Sequence, residues 1–227
     1  MDKIVIFDWG GVIMNKFPDV NNDKEAIIRT IKSFAHNLSD EEAWEIYVKT
    51  LVDENGIFIS RQNDENSKIK WLQRIETLGK FETTLEEFTN KFIEEHLSVG
   101  YYKDVVAYAH SLKERCLIGI FSDLIYSAYP ILDKQVNLSK FDYVWLSYLT
   151  HLRKDTEEAF VLVEQNLQLQ PENILFVDDT TINIENAKRR NWNTCQARGY
   201  ELQKIKRYVE QFLIKVFECK SNKCLKK

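Results

Sequence analysis

Acidic and hydroxyl side chains follow three separate apolar runs of this sequence. Asp8 follows the first run, Ser122 and Asp123 follow the second, and Asp178 and Asp179 follow the last. If each run is a buried strand, these side chains lie together, because open α/β sheets bind ligands at the carboxyl ends of their strands. Converging carboxylates repel one another unless a cation joins them, and oxygen ligands of this kind suit Mg²⁺. The pattern therefore predicts a magnesium site at one edge of a sheet.

The elements that would position these residues alternate along the chain. Short apolar runs at residues 4–7, 116–121, 143–146 and 174–177 have the composition of buried parallel strands. Helical patterns separate the runs, and such alternation is typical of an α/β fold with a parallel sheet. We therefore predict a doubly wound, Rossmann-like α/β core, with residues 202–216 forming a helix that packs one face on the sheet.

Residues 15–99 have a different character, because they contain helix signals and no convincing buried strand. Two Ser/Thr-x-x-Glu capping boxes, at 39–42 and 84–87, each precede a pattern of apolar residues at helical spacing. We predict an α/β core made of residues 1–14 and 100–227, interrupted by a helical domain at 15–99.

Composition disfavours several functional classes. The chain of 227 residues has 31 basic and 35 acidic side chains and a formal net charge of −4, which argues against a protein that coats nucleic acid or an anionic membrane. No apolar run approaches the ~20 residues of a membrane span, and we recognise no signal peptide. Four cysteines without zinc-type spacing favour a reduced, cytoplasmic protein. The four histidines lack ligand spacing, and the sequence leaves the oligomeric state open.

Four segments resemble the motifs of the haloacid dehalogenase (HAD) superfamily, in the order found in that family. Residues 7–13 (Phe-Asp-Trp-Gly-Gly-Val-Ile) resemble the first motif, and residues 120–123 (Ile-Phe-Ser-Asp) look like the second. Residues 147–154, which end in Arg-Lys, are similar to the third, and residues 174–184, which contain Val-Asp-Asp, closely resemble the fourth. The helical region at 15–99 falls where this family places a helical cap. The resemblance implies a HAD-like fold and a hydrolase.

The resemblance also implies a phosphatase mechanism, in which Asp8 attacks phosphorus and forms an aspartyl-phosphate. Ser122 would hydrogen-bond a phosphoryl oxygen, and Lys154 would neutralise charge on the nucleophile and the phosphoryl group. The backbone N–H groups of Trp9 and Gly10 would cradle another oxygen, since glycine allows close approach. The implied phosphate-binding set is Trp9, Gly10, Ser122, Asp123 and Lys154.

The same resemblance implies how Mg²⁺ would be held. Asp8 and Asp179 would ligate it directly, Asp178 would be a second ligand or hold a water, and Gly10 would offer its backbone carbonyl. Asn183 would orient the acidic pair from the next helical turn. The expected cofactor is Mg²⁺, and the expected partner is a small phosphorylated metabolite, with a sugar phosphate as one candidate. Candidate substrate contacts in the cap are Asn15, Lys16 and Arg61.

Gly10 departs most from the family pattern. Most phosphatases of the family carry Asp-x-Asp, in which the second Asp protonates the leaving group, whereas this chain carries Asp8-Trp9-Gly10. General acid–base catalysis is worth ~10²–10⁴-fold, so its loss penalises poor leaving groups most. In the third motif, His151 and Asp155 stand where Gly and Pro are common.

Three functions are compatible with these residues. The first is a Mg²⁺-dependent phosphatase, which the retained pair Asp178-Asp179 favours. The second is a phosphate-binding or regulatory protein of the same fold that has lost turnover. The third is a 2-haloacid dehalogenase, which also uses an Asp nucleophile without a second Asp but needs no metal.

Overall fold

Five parallel strands form the sheet at the centre of the computed structural model, which describes residues 2–14, 23–53, 56, 58 and 65–223. The strands are β1 (Ile4–Phe7), β2 (Leu117–Ser122), β3 (Tyr143–Leu146), β4 (Ile174–Asp178) and β5 (Asn193–Gln196). Their order across the sheet is β3-β2-β1-β4-β5. The predicted parallel α/β fold is confirmed, with β1 at the centre.

The edge strand β5 is an element that the sequence analysis missed. Its residues are Asn-Thr-Cys-Gln, and only Cys195 among them is fully buried. It pairs with β4 from Asn193 opposite Leu175 to Gln196 opposite Asp178. An edge strand has a single neighbour and needs no continuous apolar run, so the apolar pattern used to find the other strands could not find this one.

The central strand β1 is buried on both faces, which explains why all its residues are apolar. Successive side chains of a strand point to opposite faces, so Val5 and Phe7 join one hydrophobic cluster while Ile4 and Ile6 join another. Full burial of such a side chain contributes ~1.5–3 kcal/mol. The strand that ends just before Asp8 is therefore anchored on both sides of the sheet.

Ten helices are present in the described part of the chain. They are α1 (Asp23–Phe34), α2 (Asp40–Thr50), α3 (Glu65–Gly79), α4 (Leu85–Leu97), α5 (Lys103–Ser111), α6 (Tyr129–Val136), α7 (Ser147–Thr150), α8 (Glu157–Leu167), α9 (Thr181–Arg189) and α10 (Leu202–Lys223). Both predicted capping boxes are present at the starts of α2 and α4. None of the described helices is long and apolar enough to cross a membrane.

Helices α1 to α4, which we call the helical insertion, lie between β1 and β2 in the sequence and pack against one another. Their apolar residues, among them Ile27, Trp71 and Phe88, belong to the same hydrophobic cluster as Val5 and Phe7 of the central strand. The insertion therefore packs on the core rather than projecting away from it.

Candidate functional site

Three strand ends bring Asp8, Ser122 and Asp178 to one edge of the sheet. Phe7 of β1 is in register with Val177 of β4 and Ile120 of β2, so Asp8 is level with Asp178, and Ser122 is one residue further along. Asp8 comes directly after β1, while Ser122 and Asp178 are the last residues of β2 and β4. All three residues are buried. Parallel pairing is what brings together side chains that are far apart in sequence.

Lys154 lies within this group as a buried cation. Its Nζ is 2.8 Å from Asp8 Oδ1 and 2.8 Å from Asp178 Oδ2, and only 2% of its side chain is exposed. Burial disfavours the ammonium, but the carboxylates of Asp178, Asp8 and Asp123 outweigh that effect and raise the pKa of Lys154 above its ordinary value. Lys154 therefore keeps its positive charge at neutral pH, in direct contact with Asp8.

One oxygen of Asp8 receives three hydrogen-bond donors. Its Oδ1 accepts from the backbone N–H of Trp9 at 2.7 Å, from Ser122 Oγ at 2.9 Å and from Lys154 Nζ at 2.8 Å. These contacts fix the orientation of the carboxylate, and a nucleophile held in one orientation can meet its target in a near-attack geometry. The N–H of Trp9, expected to cradle phosphate, donates to Asp8 in this structure.

Asp178 is fully buried, and residues of the chain engage both of its oxygens. Lys154 Nζ contacts Oδ2, to which Asn183 Nδ2 also donates at 3.0 Å. The backbone N–H of Thr180 donates to Oδ1 at 2.7 Å. Asn183 lies on α9, one turn beyond the strand end, and its side-chain amide contacts Asp178 of the acidic pair. Asp178 thus serves to hold Lys154 beside Asp8.

Asp8, Asp178 and Asp179 form a carboxylate cluster suited to a divalent cation. Each offers one oxygen, and the three oxygens lie within 4.8 Å of one another. A set of carboxylate oxygens matches the ligand preference of Mg²⁺, which takes one or two carboxylates together with waters or phosphate oxygens. Donors of the chain engage both oxygens of Asp178, whereas the three donors described above for Asp8 all share its Oδ1, so the donor set favours Asp8 and Asp179 as the direct ligands.

Gly11, which the sequence analysis did not single out, makes room for Asp179. Its φ is +78°, in the left-handed region that favours glycine. A Cβ at this position would lie 2.4 Å from Asp179 Oδ2, well inside any normal contact. Arg198 was also missed, and its Nε lies 3.7 Å from the same Oδ2. Neither residue could be found from the sequence, since their roles depend on which loop lies beside Asp179.

The loop that carries Lys154 is fixed through its backbone. Asp123 Oδ1 accepts from the Lys154 N–H at 3.1 Å, and Asn186 Nδ2 donates to the Lys154 carbonyl at 2.9 Å. The carboxylate of Asp123 is therefore an acceptor in this loop, and a contact with phosphate would have to use its backbone N–H. His151 has φ 58°, a left-handed conformation that explains why Gly is common at this position.

A cavity of about 290 Å³ opens beside these groups. Its lining residues are Asp8, Gly10, Ser122, Asp123, Arg153, Lys154, Asp155, Thr180, Ile182 and Asn183. Nearly all the residues predicted for phosphate binding thus surround one space. The candidate substrate contacts Asn15, Lys16 and Arg61 lie outside the described residues.

Arg153 is a site residue that the sequence analysis passed over in favour of its neighbour Lys154. Its guanidinium lies between two carboxylates, with Nη2 3.5 Å from Asp123 Oδ2 and Nε 3.4 Å from Asp155 Oδ2. The guanidinium carbon is also 4.0 Å from the centre of the Phe58 ring, which belongs to the segment between α2 and α3. Arg153 therefore links the core to the helical insertion at the mouth of the site.

Comparisons with solved structures agree with this architecture. A HAD-family enzyme of Bacteroides thetaiotaomicron, solved with magnesium and inorganic phosphate, is 17% identical with a TM-score of 0.67, over 87% of this chain and 94% of that one. A predicted HAD-like family hydrolase of Porphyromonas gingivalis is 19% identical with a TM-score of 0.63, over 88% and 92% of the two chains. The L-2-haloacid dehalogenase of Xanthobacter autotrophicus is 20% identical with a TM-score of 0.57, over 86% and 76%.

At these identities the structural likeness establishes the fold alone. No curated protein matched the sequence. The sequence profile of the haloacid dehalogenase-like hydrolases, in contrast, matches residues 5–197, which run from the second residue of β1 to beyond β5 and include the helical insertion and every side chain of the carboxylate cluster. The chain therefore belongs to the haloacid dehalogenase-like hydrolase family.

Proposed function

We propose that this protein is a Mg²⁺-dependent phosphatase that hydrolyses a small phosphorylated metabolite through an aspartyl-phosphate on Asp8. The observation that carries the proposal is the buried contact of Lys154 with Asp8 and Asp178, next to a third carboxylate at Asp179. A dehalogenase needs no metal, so the additional carboxylate of Asp179 favours a metal-dependent phosphatase. The B. thetaiotaomicron enzyme was solved with magnesium and inorganic phosphate, which also supports the proposal.

The roles of the chain's own residues follow from their contacts. Asp8 forms a new bond to phosphorus while the bond from phosphorus to the leaving-group oxygen breaks, and water then cleaves the aspartyl-phosphate to release phosphate. Ser122 and Lys154 hold the attacking carboxylate in place, and the charge of Lys154 offsets negative charge that builds up at phosphorus. Asp8, Asp179 and the backbone carbonyl of Gly10 would hold Mg²⁺, which when bound supplies further positive charge to the phosphoryl oxygens.

The helical insertion is, in this proposal, the cap over the active site. Its helices pack on the same hydrophobic cluster as β1, and Phe58 contacts Arg153 at the mouth of the cavity. A cap in this position would exclude bulk water and recognise the leaving group. We further propose a cytoplasmic protein that binds neither nucleic acid nor membrane, in keeping with its net charge of −4.

The proposal is tested by phosphate release from p-nitrophenyl phosphate, with Mg²⁺ or with EDTA. Parent protein, Asp8→Asn and Asp104→Asn are compared, the last being a control that removes one exposed carboxylate on α5. We expect Mg²⁺-dependent turnover by the parent and by the control. Asp8→Asn should lose several orders of magnitude in rate, because the amide cannot attack phosphorus, while its melting temperature stays close to that of the parent.

The two other functions give different results in the same experiment. Halide release from 2-chloropropionate without phosphate release would identify a dehalogenase. Tight binding of inorganic phosphate by calorimetry, with no turnover of any ester, would identify a binding or regulatory protein. Activity of Asp8→Asn within tenfold of the parent would mean that Asp8 is not the nucleophile.

A further inference from the structure

A second cavity, between the core and the helical insertion, shares lining residues with the cavity that contains Asp8. Its volume is about 230 Å³. Gly10, Asp123 and Arg153 line both this cavity and the one that contains Asp8. A phosphoryl group placed at Asp8 would therefore have its leaving group directed toward the second cavity, provided that the proposed function holds.

The described walls of the second cavity are largely apolar or aromatic. The core contributes Trp9, Leu124 and Ile125, and the insertion contributes Ile27, Leu51 and Phe92. A sugar bound here would bury several hydroxyl groups, and each hydroxyl without a partner costs free energy. An apolar ring would instead gain free energy from leaving water.

The polar groups of the described walls are already engaged. Trp9 Nε1 donates to Gln135 Oε1 at 2.9 Å, and Arg153 is paired with Asp123. His96 is 3% exposed and its Nδ1 is 2.7 Å from the carbonyl oxygen of Phe92, so Nδ1 is the donor. Burial lowers the pKa of His96 to about 4, so its ring is neutral at physiological pH. These described walls therefore offer few polar partners to a polyhydroxylated or doubly anionic leaving group.

The volume of the cavity and the missing side-chain acid at Gly10 also favour an aromatic leaving group. A dry apolar cavity of about 150 Å³ is sufficient for benzene, so 230 Å³ accommodates a substituted or bicyclic ring. Gly10 supplies no side-chain acid, so the leaving group must depart without a proton from that position. Phenolate leaves in this way far more easily than the alkoxide of a primary alcohol.

We propose that the second cavity binds the leaving group of an aryl phosphate monoester, and that the substrate is a phosphorylated phenol rather than a sugar phosphate. This inference rests on the proposed function, since the phosphoryl group must lie at Asp8. It nevertheless concerns different residues, those of the cavity walls, and can be tested separately.

The test uses phosphonates, which bind without being hydrolysed and so remove any effect of leaving-group reactivity. Binding of benzylphosphonate and methylphosphonate is measured by calorimetry in Mg²⁺. We expect benzylphosphonate to bind ~10- to 100-fold more tightly, the range that burial of an aromatic side chain gives. The kcat/KM of phenyl phosphate should likewise exceed that of glucose 1-phosphate.

Two residues at the C-terminal end of α2 provide a matched pair of variants. Leu51 lines the cavity, whereas Val48 is 43% exposed and is not among the lining residues. In Leu51→Gln, the ratio of the affinities for benzylphosphonate and methylphosphonate should fall at least ~5-fold, because an apolar contact is lost. The affinity for methylphosphonate itself should stay unchanged. Val48→Gln should behave as the parent.

The outcomes separate this inference from the proposed function. Equal affinity for the two phosphonates, or faster hydrolysis of glucose 1-phosphate, would overturn the inference while leaving a phosphatase. Preference for benzylphosphonate without any hydrolysis would leave the cavity assignment standing and remove the proposed function. The phosphonate comparison on the parent needs no variant, so it decides the matter even if Leu51→Gln fails to fold.

Discussion

Substitution of Gly11 by alanine provides the sharpest test of the carboxylate cluster. An alanine at φ +78° costs ~1–2 kcal/mol for its left-handed backbone. Its Cβ would also lie 2.4 Å from Asp179 Oδ2 and 2.6 Å from Asp179 Cγ. The carboxylate must then retreat by roughly 1 Å to reach normal van der Waals separation, and overpacking of this kind costs a further ~1–3 kcal/mol.

Gly56→Ala is the matched control, because Gly56 has φ +76° and no atom of the described residues lies within 4 Å of the added Cβ. In urea denaturation, the control should lose ~1–2 kcal/mol of unfolding free energy. Gly11→Ala should lose ~1–3 kcal/mol more than the control. A 1 Å misplacement can cost ~10²-fold in rate, so Mg²⁺-dependent phosphate release should fall about that far in Gly11→Ala alone. Equal losses of stability, with the same Mg²⁺ dependence of activity in both variants, would refute the placement of Asp179 against this turn.

Three further experiments examine the ion, the missing acid and the buried lysine. Millimolar Mg²⁺ should raise the melting temperature of the parent by mass action, and should do so less for Asp179→Ala; equal shifts would argue against this site. Gly10→Asp should increase turnover of a primary alkyl phosphate by ~10-fold or more while an aryl phosphate gains little, since only the alkoxide needs a proton to leave. An unchanged alkyl-to-aryl rate ratio in a folded variant that binds Mg²⁺ would contradict this. Lys154→Met should lose ~3–5 kcal/mol of unfolding free energy because it leaves two buried carboxylates without their cation, and the double variant with Asp178→Asn should recover part of that loss. The pKa of Lys154 is raised in the folded state, so its contribution to the free energy of unfolding is fully present below the ordinary pKa of 10.5. That contribution declines as the pH rises through the higher, folded-state pKa. If the difference in unfolding free energy between the parent and Lys154→Met vanished near pH 8, this role of Lys154 would be excluded.

The strands of the core could be predicted because each buried strand leaves a continuous apolar run. Residues 4–7 and 143–146 coincide with β1 and β3, and the capping boxes before α2 and α4 are where the sequence indicated. Capping is a local interaction between residues three apart, so its sequence signal survives without knowledge of the fold. The strand β5 left no comparable signal and was missed, and α1 was not singled out within the helical region predicted at 15–99.

In the candidate site, the residues at strand ends could be predicted from the sequence, whereas the contacts between loops could not. Asp8, Ser122 and Asp178 end parallel strands, and parallel pairing at one register necessarily brings such ends together. The contacts of Arg153 with Phe58 and of Gly11 with Asp179 join segments whose approach no spacing rule predicts. Sequence patterns therefore located the reacting groups but not the residues that shape the space around them.

The charges at the site explain why a metal ion and a buried lysine belong together. Asp8, Asp178 and Asp179 bring three negative charges, which Lys154 and the nearby Arg198 only partly offset. A phosphate monoester adds further negative charge at the carboxylate that must attack it, and in a buried site such repulsion is weakly screened. Lys154 already pairs with both Asp8 and Asp178, so its single charge orients the nucleophile and offsets only part of the negative charge of an incoming phosphoryl group. A divalent cation at Asp8 and Asp179 would offset the remaining negative charge. We therefore expect the affinity for phosphate, and not the rate alone, to depend on Mg²⁺.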